Sequence, residues 1–261
     1  MAPFFYVFGY PVSSYVCMGV LGFVVSLLLL FRRRARYDVA KNDLFYLILY
    51  GVIGALVGSK LLYLLSVLPA VLRNAEWLRR HPEGLLSFLQ GGFVFYGGLL
   101  GGLFMVHRYC RRYHLSFRRV TDLIAPAFPL FHVFGRVGCF LAGCCWGVAC
   151  PSLGVVFTRS VAAPNFVPLF PIQLVEAGGN FLIFLVLLWL SRRSPPQAPL
   201  LPVYLALYGL LRFFLEFWRG DSLRGFLFLS TSQWISLLLL FGLGVWFWRV
   251  FKKPGQIPGE R

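Results

Sequence analysis

Charge is scarce in this chain. Only 13% of its 261 residues are Asp, Glu, Lys or Arg, and 9 acidic residues stand against 25 basic ones. A soluble domain carries roughly a quarter charged residues, so an ordinary water-soluble fold is excluded. The first 31 positions hold no basic residue. The first apolar stretch therefore lacks the basic flank of a cleavable signal peptide, and it runs instead into an arginine cluster, as an anchor with an external N-terminus does. Internal repeats of the transporter kind are missing, and so are soluble modules between the apolar stretches. The six cysteines do not make the disulfide framework of a small secreted domain.

What is present is apolar. The composition is 59% hydrophobic, and stretches long enough to span a bilayer, or nearly so, occupy residues 15–31, 44–68, 92–106, 120–140, 172–190, 202–217 and 234–248. A crossing helix needs about 20 apolar residues; the third stretch is short and Gly-rich, and the sixth carries charge. The expectation is all-α: a polytopic membrane helical bundle with seven transmembrane helices, forming one integral membrane domain over residues 1–261. The basic residues support that count. Sixteen lie in the loops after spans one, three, five and seven, and six in the loops on the other side. The positive-inside rule then puts the N-terminus outside and the C-terminus in the cytoplasm. A net charge of +16 dispersed in short loop clusters is a topology signal, and nucleic acid is not an expected partner. The longest loops, 71–90 and 148–171, fall outside. The first suits an amphipathic surface helix, and the second is Pro-rich and placed to cap a site.

One stretch resists a purely structural reading: Gly135-Arg136-Val137-Gly138-Cys139-Phe140-Leu141-Ala142-Gly143-Cys144-Cys145-Trp146-Gly147. A guanidinium near hydrocarbon implies a partner or an anionic ligand, and Gly-broken backbone at membrane depth is tolerated where it lines a cavity. The other ionisable residues read within spans are Lys60, Glu176, Arg212 and Glu216. Arg212 and Glu216 sit four apart on one helical face and can pair, with Arg219 one turn on. Arg136, Arg212 and Arg219 outnumber Glu176 and Glu216, and a lipid phosphate suits the excess because guanidinium binds phosphate in a bidentate fork. The alternative is a structural ion pair that makes a polar span tolerable.

Other features divide between structural and functional readings. Gly91-Gly92 and Gly97-Gly98-Leu99-Leu100-Gly101-Gly102 permit close helix packing, or a tight entry turn that presents Tyr96 to a cavity. Lys60 can snorkel to the interface or hold a headgroup. Glu176, one turn after Gln173, also suits a helix start. His132 reads as a core histidine. Cys139, Cys144, Cys145 and Cys150 are metal ligands, a redox pair or small fillers beside glycine. Their spacing fits no standard zinc pattern, and a disulfide on the oxidising outer face is favoured over a metal.

Taken in order along nearly the whole chain, these residues resemble the bacterial prolipoprotein diacylglyceryl transferases, seven-span enzymes of the cytoplasmic membrane. Gly135-Arg136-Val137-Gly138-Cys139-Phe140 is similar to the family's Gly-Arg-Ile-Gly-Asn-Phe, with Gly147 at the closing glycine. Gly91-Gly92-Phe93-Val94-Phe95-Tyr96-Gly97-Gly98 resembles its Gly-Gly-to-Phe-His-Gly-Gly motif. Pro171-Ile172-Gln173-Leu174-Val175-Glu176 resembles Pro-Ser-Gln-Leu-Tyr-Glu, and Tyr208-Gly209, Arg212, Glu216, Phe217 and Arg219 resemble the sixth-span pattern. Tyr15 matches a first-span tyrosine, and Gly58-Ser59-Lys60 matches a Gly-Ala/Gly-Arg segment. The chain departs from the pattern with Tyr96 for histidine, Cys139 for asparagine, Cys144 for glutamate and Lys60 for arginine.

The resemblance implies transfer of the diacylglyceryl group of phosphatidylglycerol to the lipobox cysteine thiol of a prolipoprotein signal peptide, in the inner membrane, with no metal or organic cofactor. It implies catalytic roles for Arg136, Arg212, Glu216 and Tyr96. Substrate-binding roles fall to Tyr15, Lys60, Gly97, Gly98, Cys139, Cys144, Gly147, Gln173, Glu176 and Arg219. Two other classes stay open: a membrane thiol oxidoreductase using the outer cysteines, and a non-catalytic lipid or lipoprotein binder on the same scaffold.

Overall fold

The computed structural model describes all residues except 1, 8, 82–83, 85–91, 93, 194–198, 222–227 and 253–261. Its helices are α1 (Ser14–Arg33), α2 (Lys41–Arg73), α3 (Ala75–Arg80), α4 (Phe95–Arg112), α5 (Phe117–Ile124), α6 (Ala127–Ala142), α7 (Ile172–Arg193), α8 (Leu200–Leu215) and α9 (Thr231–Lys252). Among the described residues six helical segments are long and apolar enough to cross a membrane: Ser14–Tyr37, Lys41–Arg73, Phe117–Ala142, Ile172–Arg193, Leu200–Trp218 and Thr231–Arg249. The chain is a helical membrane protein. The third expected span, 92–106, falls on α4, which is not among the six; its 18 residues include Arg108, Arg111 and Arg112.

The helical architecture carries two small hairpins besides. β1 (Phe4–Val7) pairs antiparallel with β2 (Tyr10–Ser13), and β3 (Val155–Val156) with β4 (Pro168–Leu169). Strands of two to four residues carry too few positions for an alternating pattern to register. The fourth expected span, 120–140, is also not one helix. It is interrupted at Ala125 and Pro126, between α5 and α6, because proline supplies no backbone donor to continue the ladder.

The chain forms two compact units, residues 1–33 with 121–261, and residues 34–120. In the first unit α1 packs on α6, α6 on α7, α7 on α8, and α8 on α9. Small residues carry the α1 contact. Ser14, Gly22, Ser26 and Leu30 are buried along one face, Gly22 lies against Phe134, and the Ser26 hydroxyl donates to the Ala127 carbonyl at 3.4 Å. Large residues of the same helix, Val20 and Leu28 among them, are more than half exposed. Polar residues inside and apolar residues outside is the arrangement that hydrocarbon, not water, stabilises.

Asp122 explains how α8 begins. Pro199 offers no side-chain cap, and the buried Asp122 carboxylate accepts from Leu200 N at 2.9 Å and Leu201 N at 3.4 Å. That satisfies two of the four unpaired donors of a helix start. Asp122 lies in the expected span 120–140 and belongs with its ionisable residues, although it was not counted there.

In the second unit α2 lies against α4 through Gly54 and Gly58 on one helix and Gly97 and Gly101 on the other. A Cβ at any of the four would collide with backbone of the facing helix. This is the close approach of small residues that glycines four apart allow. The Tyr109 hydroxyl donates to Asp43 at 3.0 Å near the other end of the same pair of helices.

Candidate functional site

The site in the first unit is assembled where α6 ends. Gly143 adopts φ +71, a left-handed conformation open to glycine without Cβ penalty. Gly143 N bonds back to Phe140 O at 3.2 Å, and Cys144 N to Cys139 O at 3.0 Å, the double bond of a Schellman ending. That reversal folds Cys144 back over the last helical turn. Cys145 follows with φ +54. Consequently the sulfurs of Cys139, Cys144 and Cys145 all lie within 4.8 Å of one another. Cys150 does not join the group, and all six cysteines are free thiols.

The loop after these thiols is pinned to α7 and to the end of α8. Gln173, 1% exposed, donates from Nε2 to Cys144 O at 2.8 Å. Gly147 forms an antiparallel bridge with Arg219, and Val148 N bonds Trp218 O at 2.9 Å. A side chain at Gly147 would strike the Phe170 and Trp218 carbonyls, so this glycine permits the close approach. The loop expected to be irregular thus carries a small hairpin with its own core of Phe157, Ala163 and Leu169.

Three ion pairs stand in the same unit. Arg136 of α6 lies 2.9 Å from Glu176 of α7, and Arg212 of α8 lies 2.7 Å from Glu216, the first residue of a 3-10 turn at Glu216–Trp218. Arg219 grips Asp221 with two donors, at 2.9 and 2.6 Å. The three arginines therefore meet three carboxylates, and the excess of cation counted from the sequence is corrected by Asp221. The count from the sequence stopped at Arg219, two residues before Asp221.

The first two pairs leave bonding capacity unused. The Glu176 and Glu216 oxygens nearest their arginines make no hydrogen bond, and Arg212 Nη1 is buried without a hydrogen-bond partner. Charge attracts charge there, while a guanidinium donor stays open. Tyr208 lies within electrostatic range of Arg136, Glu176 and Arg212. Tyr15 lies close enough to Arg136, Cys139, Cys144 and Cys145 to feel their charges.

The thiols outside the spans respond to this setting. Hydrogen bonds from Cys139 and Cys144 drive the Cys145 thiol below its ordinary range; Arg136 and Arg219 act in the same direction, and burial opposes them. For Cys144 the largest influence, its hydrogen bond with Cys139, lowers, but the bond with Cys145, burial and the Cys145 charge carry the net shift upward. Burial works against the charge on Arg219, and the Asp221 partner more than restores it.

The structure thus brings together Arg136, Glu176, Tyr15, Cys139, Cys144 and Gln173 around the end of α6, with Arg212, Glu216, Gly147 and Arg219 beside them in the first unit. Tyr96, Lys60, Gly97 and Gly98 belong to the second unit. Tyr96 is the second residue of α4. Gly97 and Gly98 face Gly58, Ser59 and Leu62 of α2, which is the packing reading of that stretch. The Lys60 ammonium lies 5.1 Å from the Tyr63 ring centre. His132 is a core histidine, 3.5 Å from the Tyr204 hydroxyl. Tyr208, Cys145 and Asp221 are missing from the sequence-derived set. Tyr208 had a signal, since it stands one helical turn before Arg212.

A helical membrane protein with paired arginines, an open guanidinium donor and a thiol cluster belongs to the class that handles anionic lipid or thiol chemistry within a bilayer. Comparison with known proteins narrows that class. The sequence model of the prolipoprotein diacylglyceryl transferases matches residues 3–249, and the chain belongs to this family. Relatives named phosphatidylglycerol–prolipoprotein diacylglyceryl transferase include one from Clostridium tetani, 35% identical over 237 residues, covering 90% of this chain and 92% of the relative. Another, from Methylococcus capsulatus, is 34% identical over 247 residues, with 89% and 88% covered. A protein from Clostridium perfringens carrying the same name with the number 2 is 31% identical over 251 residues, covering 96% and 95%.

Proposed function

We propose that this chain transfers the diacylglyceryl group of phosphatidylglycerol to the lipobox cysteine thiol of a prolipoprotein, releasing glycerol phosphate. It acts as a single multi-pass domain of the bacterial cytoplasmic membrane, crossing seven times with its N-terminus outside. Family membership supports the reaction. The observation that carries the assignment of residues is the buried, unpartnered Nη1 of Arg212, in a unit where Arg136 is paired with Glu176 and Tyr208 lies close to both arginines. An α4 of 18 residues, about 27 Å long, nearly matches the hydrocarbon thickness and supports the seventh crossing.

The chemistry is a displacement at carbon. The substrate thiol, as thiolate, attacks the glyceryl carbon, and the carbon–oxygen bond to phosphate breaks as charge grows on the leaving group. Preorganised donors aimed at that charge lower the barrier. Arg212, held by Glu216, and Arg136, held by Glu176, take this role, with the Tyr208 hydroxyl beside them. Tyr15 orients the headgroup. Gln173, Gly147 and Arg219 fix the loop that folds Cys144 back over Cys139.

The test is labelled diacylglyceryl transfer to a lipobox peptide by purified variants, with thiol oxidation measured alongside. Arg212→Lys keeps the charge and loses the bidentate fork. It should cost about 2–4 kcal/mol of transition-state stabilisation, roughly 30- to 1,000-fold in rate. Replacing Cys139, Cys144, Cys145 and Cys150 together should cost less. A cysteine variant dead in every assay beside a near-wild-type Arg212→Lys would make the protein a thiol oxidoreductase instead.

A further inference from the structure

We infer that Cys139, Cys144 and Cys145 form a binding site for one thiolate-seeking metal ion of the zinc class, with three protein sulfurs and one open coordination position. A zinc ion with Zn–S bonds of about 2.3 Å holds its sulfurs roughly 3.8 Å apart in a tetrahedron. The three sulfurs here lie within 4.8 Å of one another as free thiols, so small rotations about their side chains close the triangle. The helix ending sets this geometry. The Schellman turn at Gly143 returns Cys144 to Cys139, and the left-handed Cys145 turns its side chain inward.

Three thiols cannot be satisfied by disulfide chemistry alone, since one bond consumes two and strands the third. A single cation engages all three. Cys139 is buried, while Cys144 and Cys145 are part-exposed, so an ion has an approach. The charged groups that act on Cys145 are Arg136 and Arg219. Three thiolates and a divalent ion carry one net negative charge, and those guanidiniums stand beside it, each already paired with a carboxylate, Glu176 or Asp221. Gln173 steadies the loop from behind by its bond to the Cys144 carbonyl, the kind of outer support that orients metal ligands. No fourth His, Cys, Asp or Glu joins the group among the described residues. The remaining position is left to water or an external soft ligand such as a thiol.

The inference concerns metal, not transfer, and its readouts are independent of activity. The full-length protein is purified in detergent from cells grown with zinc, and metal content is measured by elemental mass spectrometry. About one zinc per chain is expected in the wild type and in Cys150→Ser. Less than a tenth of that is expected in the triple variant Cys139→Ser, Cys144→Ser, Cys145→Ser. Should the triple variant fail to fold, the wild type alone decides the matter. Cobalt added to metal-stripped protein should develop intense thiolate-to-metal charge-transfer absorption, and zinc should protect three thiols per chain from alkylation. Unchanged zinc in the folded triple variant, a wild type without metal or charge-transfer bands, or a native disulfide among these three cysteines would each overturn the proposal.

Discussion

Tyr208 stands one helical turn before Arg212 on α8 and lies within electrostatic range of both Arg212 and Arg136 of α6. Its hydroxyl is therefore a dipole beside the two guanidiniums assigned to the leaving phosphate. Tyr208→Phe keeps the ring and removes that dipole. A polar contact of this kind is worth about 1 kcal/mol, so transfer should fall roughly 5-fold, with the melting temperature in detergent shifted by no more than a few degrees. A rate within twofold of wild type would show that the arginine pair does not act through Tyr208.

Asp122 offers a test of stability rather than chemistry. Its carboxylate accepts from Leu200 N and Leu201 N at the start of α8, and Asp122→Ala leaves buried donors without acceptors. The cost should be about 1–3 kcal/mol, seen as a lower midpoint in thermal unfolding. Asp122→Asn retains one carbonyl oxygen and should lose less. Equal loss in both would mean that charge, not capping, is what Asp122 supplies.

The glycines of α2 and α1 predict opposite signs for one substitution. Glycine to alanine in a helix normally gains up to about 1 kcal/mol from propensity. At Gly58 the new Cβ would meet the Gly97 carbonyl, whereas at Gly19 it meets nothing within 4 Å. Overpacking costs about 1–3 kcal/mol, so Gly58→Ala should destabilise and Gly19→Ala should be neutral or stabilising. Thermal unfolding of both variants in one detergent decides it. A stabilising Gly58→Ala would place α2 and α4 further apart than described.

How much of this was legible beforehand follows from the range of each interaction. Long apolar runs between basic loops announce the membrane helices, and glycines four apart on α2 and α4 announce the close crossing. Arg212 and Glu216 pair within one helix, so their spacing alone reveals them. Asp122 and Gln173 act on groups 78 and 29 residues away, which no local pattern encodes. The thiol cluster is intermediate. Its spacing matches no familiar metal motif, and it becomes intelligible once Gly143 is known to end α6 by reversing the chain. The break at Pro126 was written in the sequence, but it sits within an apolar run that reads as continuous.

The last prediction concerns α4, the one expected span that falls outside the six long apolar helices. Its charge is concentrated at one end, where Arg108, Arg111 and Arg112 close the helix. Basic residues at one end of a short span are what cytoplasmic retention selects, and glycines facing α2 let the helix pack closely on one side while Leu100 and Phe104 stay exposed on it. In the seven-span reading the two flanks of α4 lie on opposite sides of the membrane. Reporter fusions after Arg34, Arg80 and Ser116 and at Arg261 should report inside, outside, inside and inside. The pair at Arg80 and Ser116 is decisive, because only α4 separates those positions by a crossing. If both report the same side while every variant remains membrane-inserted, α4 does not cross, and the topology has six spans.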